Sequence, residues 1–243
     1  MNLGAVILCR YDSSRLPGKI LKKIEGREIL GYIVDRVRQV FESGNIVVAT
    51  STEASDDPIA AWCEREGIQY YRGSKSNVAQ RFGEAAESRG FTHAIRINGD
   101  NLFVDIETLR SMSEIARRDE YDFITNVKDR TFPVGMSVEI VRLSFYKKLL
   151  ETFTEDRHFE HVTLYLYEHE DVGNRLNVYN TEVPEAAGSK IAIDTPEDFV
   201  LASAILRRME KGHLAYGMRD VLRFMAEVKA EAAQSAENAG ETS

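Results

Sequence analysis

Residues 5–21 read AVILC followed by RYDSSRLPGKIL: an apolar run, Ala5–Cys9, that leads straight into a loop rich in cations and hydroxyls. The run has the length and continuity of a strand buried on both faces. Within Arg10–Lys19 fall Arg10, Arg15 and Lys19, the hydroxyls of Ser13 and Ser14, and Pro17 and Gly18 to shape the backbone. A polyphosphate is bound by such a set: fixed N–H groups, short hydroxyl donors and long cations approaching from several sides. The loop contains neither the P-loop pattern nor Gly-x-Gly-x-x-Gly. On composition alone it reads equally as a solvated surface loop. Position favours the first reading, because ligands of open α/β sheets bind beyond the carboxyl ends of the strands, where the strand order reverses.

The pattern around the loop predicts that sheet. Apolar runs at Ile46–Ala49, Gln69–Tyr71 and Ala94–Ile97 alternate with helical periodicity over Ile29–Phe41, Pro58–Glu66, Val78–Ser88 and the segment after Asp105. Alternation of this kind implies parallel strands with crossover helices on both faces. The second half loses the rhythm. Phe123–Thr125, Ser137–Val141 and Asn177–Tyr179 read as strands, Phe145–Thr152 and Phe159–Glu168 as helices. We expect an inserted α+β segment at about 125–180, then a core strand at Ile191–Asp194 and helices over Pro196–Met209 and Arg219–Ala230. Residues 1–230 make one domain in this reading, with a disordered Ala/Glu/Ser-rich tail over 231–243.

The 243 residues are 43% hydrophobic and 29% charged, with a formal net charge of -8. That balance argues against duplex nucleic acid as a partner. The tail contributes Glu231, Glu237 and Glu241 without a cation, so the body is only mildly acidic. No run approaches the roughly 20 apolar residues needed to span a bilayer, and Ala5–Cys9 lacks the basic leader of a signal peptide. Cys9 and Cys63 fit no metal or redox spacing and read as core thiols. The chain is therefore expected in the cytoplasm, without a membrane partner.

Two aspartates close predicted strands: Asp100 in Arg96–Asp100, RINGD, and Asp194 in Ile191–Asp194, IAID. Carboxylates at neighbouring strand ends form a hard oxygen site of the kind Mg²⁺ takes beside substrate phosphates. Each also has a local explanation. Asp100 follows Gly99 and can start a turn. Asp194 precedes Thr195, an N-cap with Pro196 at N1, where Glu197 and Asp198 favour the helix terminus. Asp105 likewise reads as a cap.

Arg10–Leu21, RYDSSRLPGKIL, resembles the nucleotide-binding signature of the CMP-sugar synthetase superfamily. That group includes the 3-deoxy-manno-octulosonate and acylneuraminate cytidylyltransferases and the spore-coat polysaccharide synthesis branch. The resemblance implies a Rossmann-like, mostly parallel fold shared with many nucleotide-sugar enzymes. It implies that Arg10, Ser14, Arg15 and Lys19 hold the triphosphate of CTP, with Ser13 beside them. Gly99-Asp100 and Asp194–Asp198, DTPED, are similar to the segments carrying the family's metal-binding aspartates. Asp100 and Asp194 are thus implied as Mg²⁺ ligands and, with Arg15 and Lys19, as catalytic residues; Asp100 also falls in the nucleotide site. Arg81, early in the helix after Gly73–Asn77, matches a nucleotide-binding arginine of the octulosonate enzymes, although an exposed helix arginine is the alternative.

Phe132–Glu139, FPVGMSVE, and Glu160–Thr163, EHVT, resemble two spore-coat motifs. They make Glu139 and His161 candidates for contacting the acceptor or shaping a dimer. The first departs from Pro-x-Gly-Leu-Asp-x-Glu by carrying Met136 and Ser137. His158 and His161 lack a third ligand, which argues against zinc. The implied reaction moves CMP from CTP to an acidic sugar, releasing pyrophosphate, for cell-surface polysaccharide synthesis. Alternatives are a nucleotidyltransferase for a sugar or polyol phosphate or phosphonate, a nucleotide-sugar-dependent glycosyltransferase, and a non-catalytic nucleotide-binding regulator. Lys19 is expected to be solvent-accessible. Tyr165, Leu166 and Tyr167 carry more apolar surface than a small insertion can bury, and related synthetases pair through this region, so a homodimer is expected.

Overall fold

A computed structural model describes residues 1–240. Its sheet is built outward from β1 (Leu3–Leu8), six residues buried along their whole length. Beside it on one flank lie β4 (Ile46–Ser51) and β5 (Gln69–Gly73); on the other lies β6 (His93–Asn98). All four are parallel. The chain places β4 and β5 first and then crosses back to lay β6 against the free edge of β1. That reversal opens the crevice beyond the carboxyl ends of β1 and β6.

Three further strands extend the sheet past β6. β8 (Glu139–Arg142) runs antiparallel to both β6 and β7 (Phe123–Thr125), and β9 (Arg175–Asn177) closes the edge parallel to β7. The sheet is therefore mixed but mostly parallel. A two-stranded hairpin, β2 (Lys23–Ile24) with β3 (Arg27–Glu28), organises part of what the sequence presents as loop.

Alternation along the strands sorts the side chains into two cores. Ala5, Ile7, Val48, Ile95 and Ile97 meet α1 (Ile29–Val37), α2 (Asp57–Glu66), α4 (Ile106–Ala116), α8 (Pro196–Arg207) and α9 (Met218–Gly240). Val6, Leu8, Val47, Ala94 and Val141 meet α3 (Val78–Ser88) and α5 (Leu143–Leu150). Asp105 caps α4 by accepting from the Thr108 amide at 2.9 Å. In α8, Thr195 and Asp198 form a reciprocal capping box, which satisfies two of the orphan donors of the first turn.

The structure departs from the sequence reading in five places. Ile191–Asp194 is buried but joins no strand ladder: Ile191 and Ala192 donate to the Val134 carbonyl at 2.8 and 3.1 Å, and Ile193 to that of Asp100 at 3.2 Å. An apolar run shows burial without showing what it pairs with. The single helix expected over Phe159–Glu168 is two short ones, α6 (Asp156–Glu160) and α7 (Leu164–Glu168), interrupted where His161 leaves helical geometry. The last edge strand lies two residues earlier than expected, at Arg175–Asn177. Leu166 is fully buried and the Tyr167 hydroxyl is bonded internally to Thr125 and Glu139, so the apolar surface attributed to this segment is largely consumed within the chain. Finally, α9 runs on past Ala230, where its end was expected, to Gly240. The Ala, Glu and Gln residues there are strong helix formers even without packing; residues 241–243 lie outside the described range.

The loop after β1 is tied down by Asp56, which the sequence did not flag. Its carboxylate is fully buried and accepts from the Tyr11 amide at 2.7 Å, the Ser51 amide at 2.9 Å and the Ser51 hydroxyl. Burial alone would raise its pKa, but these donors outweigh burial and hold it below the ordinary value. A depressed folded pKa stabilises the protein above the unfolded value of about 3.9, and that contribution is lost as pH falls through the folded pKa. Asp56→Asn should lower stability at pH 7 by about 2–4 kcal/mol. Urea titrations below pH 4 should show the variant losing less additional stability than the parent; parallel pH profiles would refute the role.

Candidate active site

The backbone brings the loop against the end of β6. The Gly99 amide donates to the Leu8 carbonyl at 2.8 Å, and a Cβ on Gly99 would stand 2.8 Å from the Cys9 Cβ. Only glycine permits that approach. Gly18 adopts φ 66, its amide bonds the Tyr11 carbonyl at 2.9 Å, and the Tyr11 ring covers it so closely that a Cβ would lie 2.9 Å away. Buried Leu16 and Ile20 pin the loop to the core on either side of this turn.

The result is a cavity of about 430 Å³ beyond the ends of β1 and β6. Arg10, Ser13, Ser14, Arg15, Lys19, Arg81, Asp100, His161 and Asp194 all line it. The chain thus gathers residues from five separate stretches into one site. Glu139 does not join them. It is 2% exposed, behind Arg96, and accepts from the Thr163 and Tyr167 hydroxyls at 2.6 Å each. Glu139, a candidate for contacting the acceptor or shaping a dimer, thus lies beneath the cavity wall as a support. Its pair Arg96 lines the cavity, as do Asn98 and Glu160. Sequence reasoning missed Arg96, although a cation inside the buried strand HAIRIN was the available signal.

Asp194 is the electrostatic hub. Its Oδ1 faces Arg15 Nη2 at 3.2 Å and Lys19 Nζ at 3.4 Å, and its Oδ2 faces Lys190 Nζ at 3.4 Å. Lys19 also donates to the Ile193 carbonyl at 2.7 Å and is only 16% exposed, so it is not the solvent-accessible residue expected. Lys190 further pairs with Asp198 at 2.6 Å, whose carboxylate caps the Asp194 and Thr195 amides.

Asp100 has the opposite character. Its Oδ1 is buried without a partner among the described residues. Burial raises its pKa, Lys19 pulls it down and Asp194 pushes it up. An orphaned carboxylate oxygen beside a second carboxylate is a donor set short of a cation. Among the described residues no three His, Cys, Asp or Glu side chains surround one point, so other oxygens must complete any coordination sphere.

Arg81 is 1% exposed, which excludes the exposed-arginine alternative. Nη1 donates to the Ser74 carbonyl, while Nε is buried without a partner among the described residues. Burial drives its pKa below the ordinary guanidinium value. Arg10 sits 3.9 Å from Asp12, which also pairs with Lys75. His158, by contrast, is buried against Glu168, with Nε2 at 2.7 Å.

Lys19 acts as a strut as well as a charge. Lys19→Ala should lower stability by about 1–2 kcal/mol through lost charge-assisted hydrogen bonds. Chemical denaturation tests this; a change near zero would return Lys19 to a surface role.

Residues 5–222 match the model of a family described as cytidylyltransferase. The chain is 33% identical over 213 residues to the spore coat polysaccharide biosynthesis protein SpsF of Bacillus subtilis (strain 168), covering 84% of this chain and 85% of that protein. It is 27% identical over 119 residues to the 3-deoxy-manno-octulosonate cytidylyltransferase of Aeromonas salmonicida, 47% of this chain and 46% of that one. The solved structure of a cytidylyltransferase from Leptospira borgpetersenii serovar Hardjo-bovis (strain JB197) superposes with a TM-score of 0.87 at 27% identity, over 95% of this chain and 96% of the other. With a family model matched over residues 5–222 and a relative 33% identical over most of both chains, the chain belongs to the cytidylyltransferase family, as a CTP-dependent nucleotidyltransferase.

Proposed function

We propose that the protein transfers CMP from CTP to an acidic sugar of the 3-deoxy-ulosonic or nonulosonic acid type, releasing pyrophosphate, in cytoplasmic precursor supply for a surface polysaccharide. The observation that carries this reading is the single cavity in which loop cations face Asp100 and Asp194.

The acceptor hydroxyl releases its proton to solvent as its oxygen bonds to the α-phosphorus of CTP, while the bond from that phosphorus to the pyrophosphate oxygen breaks. Such transfers ask the protein mainly for alignment and charge neutralisation. Lys19 and Arg15 stabilise charge gathering on the pyrophosphate, and Arg10, Ser13 and Ser14 position the phosphates. Arg81 bounds the nucleobase end, and His161 the acceptor end. Asp100 and Asp194 fit Mg²⁺, which supplies neutralisation of the phosphate oxygens when bound. The unpartnered Asp100 oxygen supports that fit.

CTP-dependent pyrophosphate release across a panel of acidic sugars and phosphorylated polyols tests the reaction, and product analysis separates a carboxylate acceptor from a phosphorylated one. In thermal shifts with Mg²⁺, CTP should stabilise the protein most. Equal stabilisation by ATP or GTP would count against the cytosine assignment. Asp100→Asn and Asp194→Asn should each nearly abolish turnover while the chain stays folded, with non-additive effects in the double variant. Asp198→Asn should instead lower stability by about 0.3–1 kcal/mol and keep the chemistry. Loss of catalysis in Asp198→Asn but not in Asp194→Asn would move the metal site.

The family resemblance also supports a twofold dimer formed through residues 125–180. A monomer mass by light scattering at micromolar concentration would refute it.

A further inference from the structure

Arg96 is a cation set into the central strand β6, directly across the ladder from Glu139. Its Nη1 pairs with Glu139 Oε2 and lies 3.4 Å from the Thr163 hydroxyl. The other Glu139 oxygen already accepts from Thr163 and Tyr167. Both carboxylate oxygens are therefore engaged while using one nitrogen of a guanidinium that offers five N–H donors. Arg96 Nε is buried with no partner among the described residues. The side chain is 19% exposed and lines the cavity.

A buried guanidinium edge left unmatched is unfavourable unless something else meets it. A planar oxyanion does so with two parallel hydrogen bonds. Location selects which oxyanion. Arg81 lies on α3, Lys19 lies on the loop against Asp194, and Arg96 lies on β6 next to β8, its Nη1 near Thr163, two residues past His161. With triphosphate on the loop cations and the base toward Arg81, the Arg96 end is left for the acceptor.

We propose that Arg96 binds the carboxylate of the acceptor and thereby selects an acid, with Glu139 as the positioning residue that fixes the guanidinium plane. This rests on the CTP-dependent reading above for which end of the cavity the acceptor occupies. The buried Thr163 and Tyr167 hydroxyls hold Glu139 in turn, so the recognition edge is braced from beneath.

Calorimetric titration with 3-deoxy-manno-octulosonic acid and with N-acetylneuraminic acid, each against its methyl ester, tests the assignment. The unmodified protein should bind one acid about tenfold or more tighter than its ester. R96K keeps a cation for Glu139 but lacks the Nε–H edge; R96M/E139Q removes both charges and leaves no unpaired carboxylate. Both should bring the acid to within about threefold of the ester while CTP affinity stays within about twofold. E139Q alone should weaken the preference and raise the acceptor KM more than it lowers kcat. The proposal is overturned if the unmodified protein does not separate acid from ester, if R96K keeps the preference, or if CTP affinity falls in step. It is equally overturned if glucose 1-phosphate is the anion whose binding depends on Arg96. CTP is titrated separately. Failure to bind it sinks the nucleotide reading, whereas the acid–ester comparison without nucleotide still judges Arg96.

Discussion

The hydrogen bond from the Gly99 amide to the Leu8 carbonyl holds the ends of β1 and β6 together past the last paired residues. It requires a residue with no side chain, because a Cβ there would collide with Cys9 and approach Ile20. Everything in the site is registered to it. The loop leaving β1 rises beside the loop leaving β6, so Lys19 reaches across to Ile193 and Asp194 while Asp100 is turned into the space between. Asp56 fixes the other side of the loop through Tyr11, linking its shape to β4 through Ser51.

Much of this was legible because the early strands are buried on both faces and read as uninterrupted apolar runs. β1, β4 and α3 sit where the sequence places them, and the residues quoted from the basic loop line one cavity. What was not legible follows from pairing. IAID at 191–194 is as apolar as a strand, but its amides meet the loop at Val134 and the backbone at Asp100. Periodicity carries no information about that choice. The motif makes Glu139 a candidate for the acceptor or the dimer, and only the cross-strand register with Arg96 shows that its side chain forms an internal ion pair. Asp56 has no local pattern at all, since its partners are an amide forty-five residues away and a serine on the preceding strand.

The two carboxylates beneath and within the cavity show how environment divides one functional group into two roles. Burial raises the pKa of both. At Glu139 the Arg96 charge and the Thr163 and Tyr167 hydroxyls outweigh burial and hold the carboxyl below its ordinary value. That group is satisfied and gains nothing from a ligand. At Asp100 burial dominates, Lys19 offsets only part of it, and Asp194 adds to it. One oxygen has no donor. The folded chain therefore sets an unmatched carboxylate oxygen beside loop cations, Arg15 and Lys19, that converge on Asp194. A ligand that is itself a polyanion with a bound cation would answer both at once, and this is the physical ground for proposing its phosphates at the loop and its cation at the aspartates. Neither an isolated anion nor an isolated cation does so, and this double complementarity suits the site to a metal–nucleoside triphosphate.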